Sequence, residues 1–312
     1  MKRAYVVDAA RTAVGKFGGT LSTVRPDDLG ADVIKALVAR NSSIDLNEIE
    51  DVVFGAANQA GEDNRNVARM SLLMAGLPVT VPGLTINRLC ASSLQAIADV
   101  SKNIAIGYGD MFIAGGVESM TRAPFVLPKA ESAYSRAGQV YDTSIGWRFI
   151  NPKLSALYHP YTMGETAENI AEKYGITRQE QDEFAYKTQL NYQNALNANK
   201  FENEIIPVHI PQRKGDALVF QQDEHPRLST VDQLSKLSAA FKSGGTVTAG
   251  NASGINDGAA ALLIVSEEAL KRYNLEPIAE VVSSAAAGVP PEIMGIGPVP
   301  ATQKALKRAG IG

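Results

Sequence analysis

Cys90 is the only cysteine of the chain and the side chain best suited to act as a nucleophile. An apolar, β-branched stretch at residues 84–86 precedes it, and residues 91–106 are rich in Ala, Leu and Ile and contain no Gly or Pro. These patterns predict a short strand, a sharp turn and a helix, with Cys90 at the first turn of the helix. A nucleophile at such a junction is typical of a nucleophile elbow, although the pattern alone names no reaction.

The helix that follows Cys90 would favour the reactive form of its thiol only in part. Unpaired N–H groups and the positive end of the dipole at a helix N-terminus favour a thiolate over a thiol. A helix terminus contributes only ~0.3–1 kcal/mol, and at most ~2 kcal/mol, so a base or a cation must complete the activation. A buried structural thiol is the alternative, because free cysteine is among the most buried residue types. The local sequence leaves both open.

The composition is that of a soluble globular protein. Of the 312 residues, 45% are hydrophobic and 20% are charged, and the chain is long enough for two domains or for one large domain with an insertion. A net charge of -3 argues against a broad nucleic-acid-binding surface. A single cysteine excludes an intrachain disulfide, and the sequence shows neither a secretory signal nor an apolar run long enough to span a membrane. We therefore expect a cytoplasmic protein.

Strands and helices alternate along the chain. Strands are predicted at 4–7, 51–54, 84–87, 110–115, 205–210, 259–265 and 279–282, and helices at 26–39, 65–75, 91–106 and 301–309. The alternation within the first 118 residues is typical of an α/β layer with largely parallel strands.

An inserted region is predicted after residue 118, where prolines, glycines and scattered polar residues interrupt the periodicity. It contains helices at 164–174 and 178–198, the second with a capping box formed by Thr177 and Glu180. A glycine-rich loop at 244–254 would allow a ligand to approach the backbone closely. The loop lacks the GxxxxGK[ST] pattern, so it does not indicate nucleoside triphosphate binding.

Several segments together closely resemble the thiolase family. They are NRLCASSLQAI around Cys90, GGVESM at 115–120, MGETAEN at 163–169, GTVTAGNASGINDGAAA at 245–261, VVDAARTAVGKFGG near the start and MGIGPVPATQKAL near the end. These segments occur in the order found in the family and extend over essentially the whole chain. The segment DTSIGWRFINP at 142–152 is most similar to thiolases of the β-ketoadipyl-CoA type.

The resemblance implies a thiolase-like α/β fold of two βαβαβαββ halves packed face to face, with an insertion in the first half that binds coenzyme A. On this basis, residues 1–118 and 255–275 form the N-terminal half that carries the nucleophile. Residues 119–254 form the inserted, helix-rich loop domain, and residues 276–312 form the start of an incomplete C-terminal half.

The resemblance also implies the reaction. A cysteine such as Cys90 takes the acyl group from a 3-ketoacyl-CoA, releases acetyl-CoA and passes the acyl group to free coenzyme A. The reverse reaction is a Claisen condensation of two acyl-CoAs. Coenzyme A is then a substrate, no cofactor or metal is bound permanently, and the protein forms a homodimer or homotetramer without nucleic acid or membrane partners.

Six further residues match positions that contact coenzyme A in the family. They are Ala249 and Ser253 on the loop beside the pantetheine arm, Met163 and Phe241 along its channel, Met294 in an MGxGP turn, and Arg227 near the adenine nucleotide. Core packing is the alternative role for the apolar positions.

The 312 residues also depart from the family pattern. They contain no NEAF segment, no Gly-His-Pro segment with its activating histidine, and no glycine-rich segment with a second cysteine. His159 and His225 each precede a proline, but Tyr158 and Glu224 stand where the family has glycine, which favours a surface or packing role. We therefore expect little turnover from these 312 residues alone. A catalytically inactive coenzyme A-binding or scaffold subunit and a ketoacyl-synthase-type condensing enzyme are the alternatives.

Overall fold

A computed structural model describes residues 2–136 and 138–312 and contains a mixed sheet with helices on both faces. The strands are β1 (Ala4–Thr12), β2 (Gly15–Lys16), β3 (Asp51–Gly55), β4 (Gly83–Ile86), β5 (Met111–Ser119), β6 (Phe125–Val126), β7 (Tyr141–Asp142), β8 (Ile205–Ile206), β9 (Val208–Ile210), β10 (Leu218–Phe220), β11 (Asn256–Ser266) and β12 (Ala279–Glu280). The helices are α1 (Pro26–Arg40), α2 (Val67–Met74), α3 (Ser92–Ala105), α4 (Pro152–Leu157), α5 (Met163–Tyr174), α6 (Arg178–Asn197), α7 (Val231–Ser235), α8 (Glu267–Tyr273) and α9 (Pro298–Ala309). The α/β class predicted from the sequence is confirmed.

The large sheet has the strand order β12-β1-β11-β5-β3-β4. β3 pairs in parallel with β5 and β4, whereas β11 pairs antiparallel with both β1 and β5. The expectation of largely parallel pairing therefore holds only on one side of the sheet. β11 follows β5 only after residues 120–255, and it runs in the opposite direction. The periodicity within a strand does not reveal the direction in which that strand pairs.

The sheet carries a hydrophobic core on each face. Alternate residues of β3 point into different cores, because successive side chains of a strand point to opposite faces of the sheet. Val52 and Phe54 pack into the core beneath α1 and α2, whereas Val53 packs into the core beneath α3. Cys90 and the pocket beside it, described below, lie where the ends of β3 and β5 meet α3.

The chain forms two compact units. One contains the residues up to Val140, Glu202–Glu224 and Ile255–Val282, and holds the large sheet. The other contains Tyr141–Phe201, His225–Gly254 and Ser283–Gly312. The division into two thiolase halves and an inserted domain stays a prediction.

Capping boxes begin the long helices of the second unit. The predicted box at Thr177 and Glu180 is confirmed, and Thr162 forms the same arrangement with Glu165 at the start of α5. Gly175 caps the C-terminus of α5, and its φ of 66° lies in the left-handed region that glycine adopts readily. Within the described residues, the helices are too short or too polar to cross a bilayer.

Candidate active site

Cys90 lies in a tight turn between β4 and α3, and its side chain is exposed. The preceding residue, Leu89, has a φ of 49°, a left-handed conformation that is unfavourable for a branched side chain. Two polar residues hold it there. Asn87 Oδ1 accepts the Leu89 N–H at 2.8 Å, and Ser92 Oγ donates to the Leu89 carbonyl oxygen at 2.6 Å. An exposed thiol on a braced turn differs from a structural thiol buried in a core.

Two glycines allow the first turn of α3 to lie directly on the sheet. Gly55 at the end of β3 and Gly116 in β5 are register partners. A methyl group on Gly55 would overlap the backbone of Ser92 and Ser93, and one on Gly116 would overlap Ser93 Oγ and the Gly55 carbonyl oxygen. The position of the Cys90 turn therefore depends on the absence of side chains at these two places.

An open pocket of about 370 Å³ lies beside Cys90. It is formed by the strand ends of the first unit, including Gly55, Gly116 and Ala259, and most of its lining is apolar. Its ionisable side chains are Arg11 and Glu118, besides Cys90 itself, and the described residues that line it include no imidazole. Such a pocket could receive the methylene groups of an acyl chain next to the thiol.

The two charged residues of the pocket are engaged by other groups. Arg11 donates to Glu204 at 2.7 Å and to Asp223 at 2.8 Å. Burial alone would lower the pKa of Arg11, but its bonds to the two carboxylates together outweigh burial and raise it. Burial raises the pKa of Glu118, even though its carboxylate accepts the N–H groups of Ala57 and Asn58. Neither side chain is a free acid or base for the thiol.

In the second unit, the start of α5 brings together two of the predicted coenzyme A contacts. Met163 is the first residue of α5 and is largely exposed, and the ring of Phe241 lies against Gly164. Met294 lies in the 3₁₀ helix Pro291–Ile296, which packs on α5 through a 3.0 Å hydrogen bond from Asn169 to the Glu292 carbonyl oxygen.

The glycine-rich loop that carries Ala249 and Ser253 is fastened to the same helix by Glu168. This carboxylate is only 4% exposed, and it accepts the N–H groups of Thr246 and Val247 at 2.7–2.9 Å. Burial raises the pKa of Glu168, but the backbone and hydroxyl donors outweigh burial and lower it below the usual range. The loop is therefore held in one conformation while Ala249 and Ser253 are exposed.

A second carboxylate supports the loop from α6. Asp182 accepts from Asn251 at 2.9 Å and from Arg178 at 2.7 Å, and it is fully buried. Arg227 lies beside the same helix, where its N–H donates to Gln189. The structure thus groups the six predicted contacts around α5 and α6 of one unit, whereas Cys90 lies in the other.

The two histidines that precede prolines, His159 and His225, have packing contacts. The His159 ring packs edge-on against Tyr161 at a centroid distance of 4.5 Å, and the His225 ring lies against Gly254. Both belong to the second unit.

Glu118 and Glu168 lie in the motifs GGVESM and MGETAEN, but sequence reasoning assigned them no role. The signal for Glu118 was an acidic residue in an otherwise buried strand, which is unusual unless its carboxylate has partners.

The family follows from two matches. The thiolase N-terminal domain matches residues 4–268, and the thiolase C-terminal domain matches residues 275–312. The chain belongs to the thiolase family. The resemblance inferred from the sequence is thereby confirmed, and thiolases are acyltransferases that act on acyl-CoA.

Named thiolases are similar to this chain over its whole length. It is 54% identical to a β-ketoadipyl-CoA thiolase of Acinetobacter baylyi over 312 residues, which are 100% of this chain and 78% of that protein. It is 51% identical, with the same coverage, to a 3-oxoadipyl-CoA/3-oxo-5,6-dehydrosuberyl-CoA thiolase of Escherichia coli K12. The crystal structure of an acetyl-CoA acetyltransferase from Bacillus anthracis superposes with a TM-score of 0.91 at 38% identity, covering 100% of this chain and 77% of that one. The thiolase fold is therefore established.

The glycine contact beneath α3 predicts the effect of Gly55→Ala. The added methyl group overlaps backbone atoms that cannot rotate away, so we expect a loss of about 1–3 kcal/mol in the free energy of unfolding. We also expect slower alkylation of Cys90 by iodoacetamide. Gly288→Ala is the matched control, because no atom lies within 4 Å of its Cβ position. Equal stability and equal alkylation rates in the two variants would refute the contact.

The buried bonds of Glu168 predict a pH-dependent effect of Glu168→Gln. Because the pKa of Glu168 is lowered on folding, its ionised form stabilises the protein above the usual glutamate value of 4.5, and this stabilisation is lost as the pH falls through the lower folded-state value. We expect the variant to lose about 2 kcal/mol at pH 7, and the difference to shrink in acid. Urea unfolding across a pH series measures both.

Glu172→Gln is the control for this measurement, because Glu172 lies on the same helix but forms an exposed ion pair with Lys242. Such an exposed pair contributes little to stability, because water and salt screen the attraction between the two charges. A Glu168→Gln protein whose deficit equals that of the control, or does not change with pH, would show that the loop is not anchored by the carboxylate.

Proposed function

We propose that this thiolase transfers acyl groups through a thioester on Cys90. The observation that carries the proposal is an exposed cysteine on a braced turn at the N-terminus of α3, beside a pocket lined mainly by apolar groups. The thiolate would attack the 3-keto carbonyl carbon of a 3-ketoacyl-CoA. The new S–C bond forms as the C2–C3 bond breaks, and the electron pair that leaves with C2 takes a proton to give acetyl-CoA.

In the second half of the reaction, the sulfur of Cys90 is the leaving group. The thiolate of coenzyme A attacks the acyl carbon, forms a new thioester and expels the Cys90 thiolate. Cysteine suits both steps because it is a strong nucleophile and its thioester is about as reactive as that of the substrate. The condensation direction uses the same bonds in reverse order.

Coenzyme A is proposed to bind along α5 and the glycine-rich loop. Met163 and Phe241 would contact the pantetheine arm through their exposed apolar surfaces, and Ala249 and Ser253 would contact it through the anchored loop. Arg227, also exposed, would lie near the phosphates or the adenine. Met294 would contribute from the 3₁₀ helix that packs on α5.

We propose a 3-ketoacyl-CoA whose acyl chain ends in a carboxylate, such as β-ketoadipyl-CoA, as the preferred substrate. Two relatives with more than half of their aligned residues identical carry names of this kind. The segment 142–152, which resembles this subgroup, supports the same choice.

A coenzyme A-binding subunit without catalysis is the second candidate. It is favoured by one observation: the described residues that line the Cys90 pocket offer no imidazole, and Glu118 is bonded to the backbone. A helix terminus alone leaves the thiol only partly activated. We therefore expect the 312-residue polypeptide to form an acyl-enzyme slowly and to turn over poorly.

Intact-mass measurement after incubation with acetoacetyl-CoA or β-ketoadipyl-CoA tests the acyl-enzyme. We expect one acyl group per chain, located by peptide mapping to Cys90, and no adduct on Cys90→Ala. Addition of coenzyme A should remove the adduct. If the wild-type chain binds coenzyme A but gains no acyl group from either substrate, the binding-subunit candidate replaces the transferase.

The proposed self-association is supported by an exposed sheet edge. β4 occupies one end of the strand order and pairs on one side only, with β3, in the described sheet. Leu84 on this strand is 46% exposed. An apolar edge strand of this kind is a ready surface for pairing with a second copy.

Light scattering of the purified protein tests this assignment. We expect a homodimer or homotetramer, and we expect Leu84→Lys to shift the protein towards the monomer because a charge on an edge strand opposes pairing. Ile106→Lys, at another exposed apolar position, should leave the mass unchanged. A monomeric wild-type protein, or a Leu84→Lys protein with the wild-type mass, would contradict the edge as the interface.

A further inference from the structure

We propose that Glu118 is a positioning residue for Cys90, acting through the loop after β3 and through Asn87. The proposal rests on the proposed function, because Cys90 is the group being positioned. It concerns a chain of hydrogen bonds that runs from β5 across the loop to the turn before α3. All of its members belong to the first unit.

The first link joins β5 to the loop. Glu118 Oε2 accepts the Ala57 N–H at 2.8 Å, and Oε1 accepts the Asn58 N–H at 3.2 Å. Two successive N–H groups thus converge on one carboxylate, an arrangement that fixes the peptide planes of the loop. The carboxylate oxygens are charged acceptors, and bonds to them are stronger than bonds to a neutral amide.

The second link joins the loop to the Cys90 turn. Asn87 Nδ2 donates to the Ala57 carbonyl oxygen at 2.9 Å, and Asn87 Oδ1 accepts the Leu89 N–H at 2.8 Å. Asn87 therefore uses both ends of its amide. Its orientation, and with it the left-handed conformation of Leu89 directly before Cys90, depends on where Glu118 holds Ala57.

A second carboxylate, that of Asp63, supports the same loop. Asp63, which is almost fully buried, accepts the N–H groups of Gln59 and Gly61 at 3.1 and 3.0 Å. Asp63 fixes the far part of the loop, and Glu118 fixes the part that touches Asn87. Glu118 is half-buried, and both its burial and the nearby Asp63 carboxylate disfavour its ionised form. The presence of both carboxylates therefore points to a loop whose exact position matters.

The same contacts argue against Glu118 as the base that deprotonates Cys90. Both of its oxygens face backbone donors, and a carboxyl that took up a proton would turn an O–H towards one of them. Glu118 therefore acts on Cys90 through the backbone, which distinguishes it from a residue that touches the reacting atoms.

Two single substitutions break the chain at different links. Glu118→Gln replaces one acceptor oxygen with an NH₂ group that opposes a backbone N–H, and Glu118→Asp keeps the charge at a shorter reach. Asn87→Ser keeps a hydroxyl acceptor for the Leu89 N–H but is too short to reach Ala57. Because the Asn87 contact is exposed, this variant does not disturb a core. Glu267→Gln, an exposed glutamate on α8, is the control.

Rapid-quench acylation of Cys90 by β-ketoadipyl-CoA is the main measurement. We expect Glu118→Gln to lower the maximum acylation rate by about tenfold to a hundredfold and Asn87→Ser by about tenfold, with the half-saturating concentration unchanged. Glu118→Asp should recover part of the rate. The double variant should be no more than about twofold slower than Glu118→Gln, because both changes cut one chain.

Alkylation of Cys90 by iodoacetamide, measured on the same proteins, tests the positioning role of Glu118 separately from the proposed acyl transfer. We expect its rate to fall in the same order. If the wild type forms no acyl-enzyme but the alkylation rates follow this order, the proposed function fails and the positioning role stands. If Glu118→Gln and Asn87→Ser match Glu267→Gln in both rates, or if their effects multiply in the double variant, the positioning role is overturned.

Discussion

The close approach of the first turn of α3 to the ends of β3 and β5 is the contact on which the Cys90 site depends. Gly55 and Gly116 leave room for the helix backbone, and Ser92 and Asn87 fix the turn that leads into it. Because these contacts reach the backbone of the turn, they place the thiol against the ends of the two strands. The ends of β3 and β5 also form part of the wall of the pocket beside Cys90.

The second unit fixes its glycine-rich loop with buried carboxylates. Glu168 and Asp182 hold the glycine-rich loop through backbone N–H groups and Asn251, so a loop that could sample many conformations is limited to one. A ligand that binds an ordered loop loses less free energy to ordering than one that must fold it. Anchoring from within therefore explains how exposed residues such as Ala249 and Ser253 can form a defined surface.

Much of this organisation could be predicted from the sequence, and the failures have physical causes. The strand, turn and helix around Cys90 and the cap at Thr177 follow from local patterns, and they were correct. The direction of β11 was not predictable, because pairing partners are separated by more than a hundred residues. The roles of Glu118 and Glu168 depend on backbone donors from distant segments, so neither residue shows its function in its own neighbourhood.

The place of β11 in the sheet also affects the order in which the protein can fold during synthesis. β11 lies between β1 and β5, yet it is made after the whole excursion that follows β5. During synthesis on the ribosome, both edges of β1 therefore stay unpaired at first, because its other partners, β8 and β12, are also made much later than β1. Such non-local pairing slows folding and exposes strand edges meanwhile.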